Sequence, residues 1–143
     1  MKVSYLVWLI LLAVISWQDI REKQIPVPML VLTGCAGTGI QFFENSVSLG
    51  SWFGGVFLGT FMLGVAFITG EAVGYGDGWL ILVMGMSLGF AGSLASMLMA
   101  FGASALFGGC LLAFKKVKRD YRIPFAPFLF FGSAIYCLMG GTR

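Results

Sequence analysis

The chain has 143 residues, of which 59% are hydrophobic and 10% charged, with a mean hydropathy of +0.94 and a formal net charge of +3. Soluble domains carry about 25% charged residues and disordered chains are poor in apolar and aromatic ones, so both classes are excluded. Histidine is absent and Cys35, Cys110 and Cys137 lie in apolar runs without CxxC pairing, which removes Ser–His and Cys–His catalysis and the usual ligand sets for zinc and non-haem iron.

What remains is an integral membrane protein. Crossing about 30 Å of hydrocarbon takes about 20 mostly apolar residues in a helix. The first such run is Val3 to Trp17. No small-x-small cleavage site follows it, because Trp17 and Gln18 occupy that place, so it reads as a retained helix rather than a secretory signal. After the charged segment 19–23, a second run extends from Pro26 to Phe43, and a third from Trp52 to Thr69. The run from Trp79 to Phe114 contains no charge and is too long for one crossing. It is expected to hold two helices with a turn in Gly89-Phe90-Ala91-Gly92-Ser93. A last helix begins near Ile123-Pro124 and ends around Met139. The expected fold is therefore all-α, a polytopic bundle of six transmembrane helices forming a single domain over residues 1–143.

With six spans, loops one, three and five contain Arg21, Lys23, Lys115, Lys116, Lys118, Arg119 and Arg122, which are seven of the nine basic residues. The positive-inside rule then puts these loops in the cytoplasm and both termini outside. The net positive charge thus bears on topology and on anionic lipid headgroups, not on nucleic acid. Glycine numbers 21. The pairs Gly50/Gly54, Gly55/Gly59 and Gly85/Gly89 have the spacing that lets membrane helices approach closely, either within one bundle, the simpler reading, or across a homo-oligomer seam.

Asp19 closes the first span and Asp77 opens the fourth, so this topology places both at the cytoplasmic end. Acidic side chains beside hydrocarbon are costly and are functional candidates by default. Asp77, in Gly74-Tyr75-Gly76-Asp77-Gly78-Trp79, could equally be a helix N-cap. Asp19 opposes the macrodipole at a helix C-terminus, at a cost of ~0.3–1 kcal/mol, for no structural gain apparent in the sequence. Gly74 and Gly76 would let the backbone before Asp77 run close to a neighbouring helix, with Tyr75 between them. Ile25-Pro26 should force an extended step and then start a helix at Pro26, leaving 19–25 as a short cytoplasmic loop. Two nearby carboxylates resist joint ionisation and share one proton. One can draw a proton from water while the other donates a hydrogen bond to a peptide carbonyl, a chemistry that needs no cofactor or metal. Glu22, Glu44, Glu71 and Asp120 read as solvated.

The GxGD motif Gly74-Tyr75-Gly76-Asp77, with Asp19, Arg21 and Ile25-Pro26 at the end of the first span, resembles the type IV prepilin peptidases. Pro124-Phe125-Ala126-Pro127-Phe128-Leu129 is similar to the segment that opens their last helix, and the length is like that of the small Tad/Flp-type members. The resemblance implies a membrane aspartyl protease of bacteria or archaea, with Asp19 and Asp77 catalytic. It would remove the basic leader of prepilin or pseudopilin precursors at the cytoplasmic face of the cytoplasmic membrane, just before the precursor's apolar helix. The chain departs from the family at Val27, where Asn is common, and at Trp79, where Lys is common. Two rival readings are an inactive scaffold of a pilus assembly and a small proton-coupled transporter, although transporter sites lie nearer the bilayer midplane.

Overall fold

The computed structural model describes residues 3–22, 27–45, 47–70, 74–114 and 123–139. Among them are five helices, α1 (Val3–Glu22), α2 (Val27–Glu44), α3 (Leu49–Ile68), α4 (Tyr75–Ala113) and α5 (Ala126–Leu138), and no strand. Helices α3 and α4 are long and apolar enough to cross a membrane, and α5 is a shorter apolar helix. Pro26, Glu71 and the basic segment 115–122 lie outside the described residues.

Helix α1 shows why the elements pack as they do. Tyr5, Trp8, Leu12, Ile15 and Asp19 recur every three or four residues and are all buried, forming one face of a 3.6-residue period. Trp8, Leu12 and Ile15 join Leu80, Ile81 and Met84 of α4 and Leu129 of α5 in the core. The outward faces are as apolar as the core: Phe43 is 93% exposed, Phe57 70% and Ile68 83%. In water such patches would drive aggregation; in a bilayer they are lipid contacts.

The α3–α4 contact rests on glycine. A Cβ on Gly55 would strike the Gly85 backbone, and one on Gly85 would strike Gly55, while Gly59 lies on Leu82 and Gly78 on Leu63. Three of the glycines in the small-residue pairs (Gly55, Gly59 and Gly85) thus bring two antiparallel helices of one chain into backbone contact.

The 39 residues of α4 form two helical arms that meet at a single non-helical residue, Gly89 (φ 71°, ψ −174°). Ser133 Oγ of α5 lies 3.6 Å from the Met84 sulfur, whereas its neighbour Gly132 packs on the Ser96 carbonyl. On a straight helix Met84 and Ser96 would be about 18 Å apart at 1.5 Å per residue. The chain therefore folds back at Gly89, and the two arms of α4 lie side by side against α5. The turn expected over residues 89–93 contracts to its first residue, because glycine alone readily takes this backbone conformation; residues 90–93 are already helical.

Breaking a helix frees backbone groups, and neighbouring helices together with the second arm of α4 satisfy them here. Phe90 N donates to Ser51 Oγ of α3 at 3.1 Å, and Ser93 Oγ donates to Gly89 O at 2.6 Å. The buried Gln41 of α2, in the amide orientation that satisfies the site, donates to Met86 O and to Ser87 O, the latter at 3.1 Å. Removing one partner of a buried hydrogen bond costs about 1–3 kcal/mol. Gln41→Leu is accordingly expected to lower the melting temperature of the detergent-solubilised protein; an unchanged melt would show that these carbonyls do not depend on Gln41.

Candidate active site

Asp19 sits in the last turn of α1, where the buried stripe that began at Tyr5 carries it inward; it is 6% exposed. The helix continues through Glu22, so the loop expected over 19–25 starts later and Asp19 is helical. Its Oδ2 accepts a hydrogen bond from Ala126 N at 3.1 Å, and Phe125 N–H also faces it. These amides open α5, whose own N-cap residue, Phe125, makes no side-chain cap bond. Asp19 therefore caps α5 from another helix. A carboxylate that gains nothing at the end of its own helix is stabilised at the positive end of α5.

Asp77 lies in the first turn of α4 and is half-buried. The carbonyl of Gly74, the N-cap, accepts from Asp77 N at 3.0 Å and Gly78 N at 3.2 Å. The Asp77 side chain folds back over this residue, so a Cβ on Gly74 would stand 3.2 Å from Oδ2. Gly74 thus makes room for the carboxylate itself rather than for a neighbouring helix as expected, and the close helix approach falls at Gly78 against Leu63. Tyr75 is 38% exposed and Gly76 half-buried beside the carboxylate.

The fold brings the two acids together: Asp77 lies within electrostatic range of Asp19, although 57 residues of chain separate them. Arg21 does not join them, since its guanidinium lies over the Trp17 ring at 5.4 Å. Pro26 falls outside the described residues. Among the described residues, no group of three or more His, Cys, Asp or Glu side chains could hold a metal ion.

The backbone at Phe125 and Ala126 holds Asp19, a role that side-chain chemistry does not reveal. Its only trace in the sequence is the segment Pro124 to Leu129. Two helix N-termini, those of α4 and α5, thus converge on a pair of carboxylates. Such a pair can activate water against an amide without help from a metal.

The family model for the type IV leader peptidase family matches residues 6–140. No curated protein and no solved structure matches the chain.

Proposed function

The chain belongs to the type IV leader peptidase family, and from that membership we propose that it is a membrane aspartyl endopeptidase that cuts the basic leader from prepilin or pseudopilin precursors. The observation that carries this reading is the convergence of Asp19 and Asp77 from α1 and α4 at one end of the helices. With the reversal at Gly89, the five helices make six crossings, and the carboxylates face the cytoplasm of a bacterial or archaeal cell.

In this mechanism the dyad holds one proton. The amide donors of Ala126 and Phe125 favour Asp19 as the carboxylate that takes a proton from water, and Asp77 donates a hydrogen bond to the scissile carbonyl. Water oxygen bonds to the carbonyl carbon, and a proton from the dyad then goes to the leaving nitrogen as the C–N bond breaks. Gly74, Gly76 and Tyr75 shape the approach.

The test is cleavage of a precursor, a basic leader joined through glycine to an apolar helix, by membranes containing the protein. Mass spectrometry should find the cut just before the apolar helix, and the rate should follow a bell-shaped pH profile. Chelators and serine-directed reagents should leave the rate unchanged. Loss of cleavage on chelation, or no cleavage at any pH, overturns the reading.

A further inference from the structure

We propose that the cytoplasmic edge of the bilayer is stepped around this protein: lipid covers the far end of the second arm of α4, while on the side of α1 headgroups and water come in to the level of Asp19 and Asp77. The step takes its cytoplasmic orientation from the proposed function and does not depend on peptidase activity.

Contacts along α5 fix the levels. Met84 and Ser96, one on each arm of α4, meet Ser133 and Gly132. Closer to the carboxylates, the Phe101 ring stands 5.0 Å from that of Phe125, the residue before Ala126, whose amide Asp19 caps. Phe101 therefore marks the level of the carboxylates on the second arm. The arm does not stop there. It continues from Gly102 to Ala113, about 18 Å at 1.5 Å per residue, with Gly108 facing Ile123. Helix α1, by contrast, ends at Glu22, about 5 Å past Asp19.

The two ends demand different surroundings. Leu106 and Phe114 are each 74% exposed, and Phe107 and Leu112 are half exposed. At 3.6 residues per turn, Leu106, Phe107 and Leu112 point in directions about 100° or more apart, so a single docked face cannot cover them and lipid can. No charge occurs from Trp79 to Phe114, and Lys115 and Lys116 follow directly, residues that favour cytoplasmic headgroups. At the end of α1, Arg21 and Glu22 are exposed. Arg21 lies over the exposed Trp17, a pairing suited to a membrane surface. A flat boundary at Arg21 would leave the end of the second arm in water. A flat boundary at Phe114 would sink Arg21, Glu22 and the carboxylates in hydrocarbon. Charge in hydrocarbon costs more than several ångströms of mismatch, which a bilayer meets by thinning, so the boundary steps. Water then reaches the carboxylates from the α1 side.

Cys110 is exposed on the second arm, nine residues past Phe101 and hence about 10 Å farther toward the cytoplasm than Arg21. The test compares this native thiol, in a Cys35→Ser protein, with Arg21→Cys in a protein that also carries Cys35→Ser and Cys110→Ser. The buried Cys137 stays in both. Inverted membrane vesicles, with the cytoplasmic face outward, receive a membrane-impermeant maleimide. Arg21→Cys is expected to react at least about tenfold faster than Cys110, because the thiolate is the reactive form and apolar surroundings suppress it. A bimane attached to Cys110 in detergent and then reconstituted should be quenched more by nitroxide on lipid chains than by nitroxide on headgroups. Cys110 reacting as fast as Arg21→Cys overturns the step. So does a bimane that chain nitroxide leaves unquenched, the result expected if a second copy or another protein covers the arm. If Arg21→Cys reacts faster than Cys110 but only in right-side-out vesicles, the step stands at the other face and the proposed orientation falls.

Discussion

Asp19→Asn and Asp77→Asn are each expected to leave a co-expressed precursor uncut, so that an immunoblot should show only the full-length form. Asparagine keeps the shape of the side chain but cannot take or give the catalytic proton. General acid–base catalysis contributes about 10²–10⁴-fold, and for two acids acting as a unit, as proposed, losing either is expected to cost nearly as much as losing both. The two variants should differ in stability. Asp19 caps α5 through Ala126 N, and an asparagine Oδ1 can still accept that bond, so Asp19→Asn should melt close to the wild type. Asp19→Ala removes the cap and should melt lower, since a lost N-cap costs about 0.5–2 kcal/mol. Among the described residues, no backbone amide of another helix donates to Asp77, so Asp77→Ala should cost less. Processing that survives either asparagine variant removes that residue from the catalytic role.

The second large effect is expected at Gly89. Its backbone conformation (φ 71°, ψ −174°) belongs to a region essentially restricted to glycine and costs other residues about 1–3 kcal/mol. A Cβ there would also stand 2.6 Å from Val47 Cγ1 and 2.7 Å from Ser51 Oγ, the hydroxyl that accepts Phe90 N. Gly89→Val therefore combines backbone strain, steric overlap and loss of a hydrogen bond at the point where α4 reverses. Little folded protein should be recovered, and what is recovered should melt well below the wild type. Gly102, in the second arm of α4, provides the contrast, because nothing lies within 4 Å of a Cβ placed there. Gly102→Ala should be neutral or stabilising by up to about 1 kcal/mol, the propensity difference between alanine and glycine. Equal melting of the two variants would show that the reversal does not need glycine.

The reversal was partly legible in the sequence. The uncharged run from Trp79 to Phe114 was too long for one crossing, and its glycine-rich middle marked the turn. The devices that make the turn tolerable were not legible. Gln41 and Ser51 are remote in sequence, and only the packing of α2 and α3 against α4 places them beside the freed groups. Similarly, GxGD pointed to Asp77, but which glycine serves the carboxylate and which serves the helix contact depends on side-chain direction. Gly74 lies under Oδ2, and Gly78 faces Leu63.

By itself the sequence determined that this is a helical, lipid-facing chain and pointed to carboxylates as its candidate reactive groups, because composition limits both the solvent and the reactive groups. Which face of α1 turns inward was not legible, because Leu6, Ile10, Val14 and Trp17 on the exposed faces are as apolar as Trp8, Leu12 and Ile15, with which Asp19 is buried. Tertiary structure alone decided what Asp19 meets there. Its partners are backbone amides at Phe125 and Ala126, and since every residue but proline carries the same N–H, no side-chain pattern encodes them. Only the register between α1 and α5, set by how their side chains fill the shared core, brings those donors to the acid.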